Sequence, residues 1–142
     1  MKGQPAGKRI LLVDDDPDFV EMNRAVLAEA GYAVIAAYNG AQGLKLAGSE
    51  KPDLIILDMI MEGRKAGLDV SRALRKAEPT RSIPIVMITS VHETVPVHVE
   101  PDPVWLPVDL FLEKPVDPAL LLDTVAGALE AAGPRPPSGS AP

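Results

Sequence analysis

The chain has 142 residues, 46% hydrophobic and 24% charged; that is one ordinary globular domain and excludes wholesale disorder, a collagen-like repeat or a coiled coil. The absence of cysteine excludes disulfides, thiolate metal sites and cysteine nucleophiles. A net charge of −6 and only one Trp, two Tyr and two Phe argue against direct nucleic-acid binding, and no apolar run nears the roughly 20 residues that cross a bilayer.

In chain order, residues 1–8 read as a basic N-terminal extension. The apolar run Ile10–Val13 that follows is too short for a signal peptide and ends in three aspartates, so a cytoplasmic protein with no membrane partner is expected. The domain proper runs over 9–132. Five short, largely β-branched runs, Arg9–Val13, Ala33–Ala37, Leu54–Leu57, Ile85–Ile88 and Asp109–Leu112, have the pattern of strands buried on both faces of a parallel sheet.

The segments between them have helical spacing. Asp16 can cap a helix with Pro17 in its first turn, Phe19, Met22, Val26 and Ala30 along one side, and Gly31 ending it. A weaker helix spans Ala41–Ala47. Val70, Ala73, Leu74 and Ala77 mark another that Pro79 stops, and Leu122, Val125, Ala126 and Leu129 mark the last. Pro96, Pro101, Pro103 and Pro107 forbid a continuous helix over 95–107, so an ordered loop pinned by Trp105 and Leu106 is expected there. His92 and His98 lack metal-ligand spacing and read as plain loop residues. The stretch 133–142 is a flexible Pro/Gly/Ser-rich tail. Strand–helix alternation of this kind predicts a doubly wound α/β fold with a five-stranded parallel sheet, the fourth helix largely replaced by a Pro-rich loop.

Ligands of open α/β sheets bind beyond the carboxyl ends of the strands. There the sequence offers Asp14-Asp15-Asp16 after strand one, Asp58 after strand three, Thr89-Ser90 after strand four and Glu113-Lys114-Pro115 after strand five. Carboxylates brought close together repel unless a cation joins them, and an all-oxygen site suits Mg2+. A lysine would neutralise an incoming anion, a hydroxyl would bond one of its oxygens, and a carboxylate can attack phosphorus. Metal, nucleophile, hydroxyl and lysine together describe phosphoryl transfer onto an aspartate.

ILLVDDDPDF, PDLIILDM, PIVMITS and LFLEKPVDP resemble the strand-end motifs of the receiver domain of two-component response regulators, over about Arg9 to Ala132. The resemblance implies a flavodoxin-like sheet of order 2-1-3-4-5, with Asp58 as phospho-acceptor for a histidine kinase or phosphotransfer protein. It implies that Asp14, Asp15, Asp58 and the backbone carbonyl of Ile60 hold Mg2+. Thr89 would rearrange to bond the phosphoryl group and Lys114 would pair with it. Phe111 would be the aromatic switch, and Pro115 would follow a cis peptide bond.

The sequence departs from that pattern in three places. Glu62 stands where a proline usually follows the methionine, the loop from Glu62 to Gly67 reads one residue longer than usual, and 91–108 lacks the customary helix. Ile60 and Val91 are expected to slow hydrolysis of the acyl phosphate by crowding the path of water. With only the tail after Ala132, a stand-alone receiver that signals through an unknown downstream protein is expected. A homodimer stays open, and the chain is not read as an enzyme beyond phosphorylating and dephosphorylating itself. Two rival readings are an aspartate-nucleophile phosphatase of the haloacid dehalogenase type, acting through Asp14, and a pseudo-receiver that binds partners regardless of phosphate.

Overall fold

Short β-branched runs and amphipathic segments alternate along the chain, and each forms the element its pattern suits. The computed structural model describes residues 8–61, 66–90 and 110–132. Its strands are β1 (Arg9–Val13), β2 (Ala33–Ala37), β3 (Leu54–Asp58), β4 (Ile85–Ser90) and β5 (Leu110–Lys114). Its helices are α1 (Pro17–Glu29), α2 (Gly40–Glu50), α3 (Ala66–Lys76) and α4 (Pro118–Ala132). The strands pair in parallel in the order β2-β1-β3-β4-β5, the doubly wound, flavodoxin-like arrangement expected. The expected N-terminal extension (apart from Lys8), the tail at 133–142, the Pro-rich segment at 91–108 with Trp105, His92 and His98, and Glu62 lie outside the described residues.

Alternation along the strands divides the apolar residues between two layers. Leu11, Val13, Ile55, Leu57, Ile85 and Met87 pack towards α2 and α3, with Val70 and Leu74. Ile10, Leu12, Leu54, Ile56, Val86, Ile88 and Leu112 pack towards α1 and α4, with Phe19, Leu27, Leu121 and Val125. Burying each such side chain contributes about 1.5–3 kcal/mol, so the central strands carry much of the stability.

Two helix faces differ from their expected stripes. In α1 the buried positions are Phe19, Val20, Asn23 and Leu27, while Met22 is 63% exposed. A buried asparagine holds a core position because its Nδ2 donates to the Phe19 carbonyl at 2.8 Å, which satisfies the amide locally. In α4 the buried stripe is Leu121, Val125 and Ala128, and Ala126 faces outward. Repeats of alanine and leucine leave the phase of a helix ambiguous by one position, and packing against the sheet decides it.

Element ends match local chemistry. Asp16 caps α1, accepting from the amides of Asp18 and Phe19, and Pro17 occupies the first turn. Gly31, with φ 106, takes the left-handed conformation that ends the α1 turn, as expected. The second helix is longer than expected: it starts at Gly40 behind Asn39, which caps it by accepting from the Gln42 amide, and runs on to Glu50 before Lys51, with φ 48, ends it. The third helix ends at Lys76, ahead of Pro79. Strands β3, β4 and β5 run one or two residues past their apolar runs, so Asp58, Thr89 and Lys114 are within the sheet rather than in loops after it.

Candidate functional site

Parallel pairing brings the strand ends together. Asp58 is opposite Ile88, the residue before Thr89, and Ser90 is opposite Lys114. Asp14 follows β1, its amide bonded to the Ala37 carbonyl at 3.1 Å. Asp14 is fully buried, Asp58 is 4% exposed and Thr89 is 8% exposed. Asp15 projects to solvent. One carboxylate oxygen from each of Asp14, Asp15 and Asp58 lies within 4.8 Å of the others.

The Lys114 ammonium stands between two of these acids, 2.9 Å from Asp14 Oδ2 and 3.6 Å from Asp58 Oδ2. It also lies 4.4 Å from the centroid of the Phe19 ring. Asp14 Oδ1 accepts from the Asp16 amide at 2.9 Å. Asp14 Oδ2 is completely buried, and among the described residues the Lys114 ammonium is the charge that meets it. Asp58 Oδ1 accepts a long bond, 3.4 Å, from the Ile60 amide.

The electrostatics follow from that crowding. Burial first, and the neighbouring Asp14 carboxylate second, push the Asp58 pKa up to about 7, although Lys114 and the Ile60 amide oppose the rise. For Lys114 burial disfavours the charge, but the hydrogen-bonding and Coulombic pull of Asp14, then Asp58 and Asp16, outweighs it and raises the pKa. The site therefore has more negative charge than its single ammonium neutralises. Three carboxylates facing one ammonium form an all-oxygen donor set that suits a hard divalent cation such as Mg2+.

Of the residues singled out in the sequence, Asp14, Asp15, Asp58 and Lys114 converge on one crevice, with Thr89 on the adjoining strand end. Ile60 is two residues past Asp58 and partly exposed. Phe111 is half-buried in the layer of α2 and α3, on the other side of the sheet from Phe19. The Lys114–Pro115 peptide is cis, as expected.

Two contributors escaped the sequence reading. Gly67, assigned there to a loop, is the second residue of α3 and presses on the end of β3. A Cβ on it would come 2.2 Å from the Asp58 carbonyl oxygen and 2.7 Å from Met59 Cα, and its amide donates to the Met59 carbonyl at 2.9 Å. No residue but glycine permits so close an approach. Phe19 was assigned only to the helix face. Its nearness to Lys114 joins residues 95 positions apart and has no local signal.

Residues 10–126 match the family described as response regulator receiver domain. Protein PilH of Pseudomonas aeruginosa is 36% identical over 124 residues, 85% of this chain and 97% of that protein. The transcriptional regulatory protein GlrR of Escherichia coli is 34% identical over 134 residues, 94% of this chain but 28% of that protein. The chain therefore spans nearly all of one relative and about a quarter of another. Among solved structures, a receiver domain protein described as CheY-like from Methanospirillum hungatei superposes with a TM-score of 0.74 at 25% identity, covering 88% of this chain and 95% of that one. A response regulator from Chloroflexus aurantiacus gives 0.73 at 26% identity, covering 87% and 98%. With its strand ends, its sheet order and its sequence in agreement, the chain belongs to the receiver domain family of two-component response regulators.

Proposed function

We propose that Asp58 is the phospho-acceptor of this chain, taking its phosphoryl group from a histidine kinase or a histidine phosphotransfer protein. The observation that carries the reading is the placement of a nearly buried carboxylate within reach of two further acids and one ammonium at the carboxyl edge of the sheet. Asp14, Asp15, Asp58 and the Ile60 carbonyl would hold Mg2+, which supplies positive charge against the oxygens of the transferring group.

The protein's own residues do the rest. An Asp58 carboxylate oxygen attacks phosphorus, forming the acyl phosphate as the bond from phosphorus to the donor nitrogen breaks in line. Lys114, already between the two acids, is placed to pair with the arriving oxygens. The Thr89 hydroxyl supplies a donor to one of them, and its movement together with Phe111 would report the modification to a downstream protein. Burial of Asp14 and Asp58 limits water at the site, and Ile60 adds an apolar wall that slows hydrolysis of the product. The activity is a change of the protein's own state in the cytoplasm rather than turnover of a substrate.

Incubation with phosphoramidate or acetyl phosphate and Mg2+, followed by peptide mapping, tests this. Phosphoryl on Asp58, lost with Asp58→Asn and with chelation, is the expected result; phosphoryl on Asp14 with multiple turnover would establish the phosphatase reading instead. Equal binding of a partner before and after modification would favour the pseudo-receiver.

A further inference from the structure

Phe19 is fixed by the same turn that presents the first acid of the site. The Asp16 amide donates to Asp14 Oδ1 at 2.9 Å, and the Asp16 carboxylate caps α1 by accepting from the amides of Asp18 at 3.0 Å and Phe19 at 3.4 Å. One turn on, the buried Asn23 side chain donates to the Phe19 carbonyl at 2.8 Å. The ring is 8% exposed and packs in the layer of α1 and α4. Strand alternation directs Lys114 to that layer too, because Leu112, two residues earlier, packs there. The ammonium ends 4.4 Å from the ring centroid, well inside the range of about 6 Å over which a ring face attracts a cation.

A lysine head is a compact charge on a flexible four-carbon stem, and the two acids that attract it lie at unequal distances, 2.9 and 3.6 Å. We propose that Phe19 is a positioning residue for Lys114, its ring face holding the ammonium between Asp14 and Asp58 while leaving the N–H donors free for oxygens. Carboxylates compete for those three donors, whereas a ring attracts the charge through its quadrupole. The contact is strengthened by the poor solvation of the site. A leucine at this position would fill the layer equally well but offer the ammonium nothing. The inference rests on Asp58 being the acceptor and concerns the rate at which it is phosphorylated.

Site-specific incorporation of mono-, di- and trifluorophenylalanine at position 19 weakens the negative face of the ring with little change in size. In the full chain with phosphoramidate and Mg2+, the rate constant for phosphorylation of Asp58 is expected to fall progressively along the series, reaching about threefold to tenfold at the trifluoro ring, with Phe19→Leu near the same end. Melting temperatures should not follow that order, since fluorination leaves apolar packing intact. An upfield ring-current shift of the Lys114 ε-methylene protons in the unmodified protein should vanish in Phe19→Leu. A flat series in a protein that does phosphorylate on Asp58 would overturn the inference alone. Absence of phosphoryl on Asp58 in the unmodified chain would remove the acceptor reading and this inference with it.

Discussion

The two edges of the sheet treat polar groups in opposite ways. At the amino edge, Arg9 and Asp53 exchange bonds, the Arg9 amide donating to Asp53 Oδ2 and the Asp53 amide donating to the Arg9 carbonyl, both at 2.8 Å. Thr80 closes the end of α3 by donating to the Leu74 carbonyl at 2.6 Å, and Arg75 donates to the carbonyls of Arg81 and Ile83. At the carboxyl edge the buried Asp14 and Asp58 share one ammonium, and Asp58 is held near neutral pKa by burial beside a second acid. One edge uses its polar groups to satisfy the backbone and terminate elements. The other keeps unbalanced charge out of water, which costs stability and is the kind of environment in which functional groups have shifted pKa values.

Asp58→Asn should break this contrast most strongly. The folded pKa of Asp58, about 7, is above the ordinary aspartate value of 3.8, so the native state binds more protons than the unfolded chain between those values. Without metal, this group therefore lowers stability as pH rises from about 4 to about 7, and the full penalty, on the order of 2–4 kcal/mol, stands above that window. The asparagine variant should accordingly be more stable than the parent at pH 8 and hardly different at pH 4, read from urea denaturation at both pH values. A parent whose stability does not fall over this range would contradict the charge imbalance.

Gly67→Ala comes next. The added Cβ collides with backbone at Asp58 and Met59 rather than with a flexible side chain, so α3 or β3 must shift. A loss of about 2–3 kcal/mol by denaturation is expected, together with slower phosphorylation if Asp58 is the acceptor proposed above, because the displaced atoms adjoin it. Thr80→Val sharpens the comparison from the other edge. It leaves the Leu74 carbonyl short of a partner at a position 4% exposed and should cost about 1–2 kcal/mol with the phosphorylation rate unchanged. Smallest of all, Glu50→Gln removes the half-exposed ion pair with Arg9 and should change stability by no more than about 0.5 kcal/mol, an effect that shrinks further with added salt.

Much of the fold was legible because its signals are local. An apolar β-branched run such as Leu54–Leu57, closed by an aspartate, can scarcely be anything but a buried strand, and Asp16-Pro17 announces a helix start by the chemistry of its own amides. Strand ends were less legible. Asp58, Thr89 and Lys114 are polar, and nothing local shows that pairing with a neighbour extends the strand to include them. The phase of α1 and α4 was misread at Met22 and Ala126 for a similar reason, since the hydrophobic pattern tolerates more than one stripe and burial against the sheet selects one.

The sequence by itself determined which residue types would gather at the carboxyl edge, because strand–helix alternation makes the strands parallel and each acid, hydroxyl and ammonium ends a different strand. It also determined that the edge would be acidic. Only the tertiary structure decided how that charge is shared: which oxygen of Asp14 meets the ammonium, how far Lys114 stands from each acid, and that Phe19 and Gly67 approach the site from two different helices. Those outcomes depend on distances between segments remote in the chain, set by packing two layers of side chains against one sheet, and no local pattern encodes them.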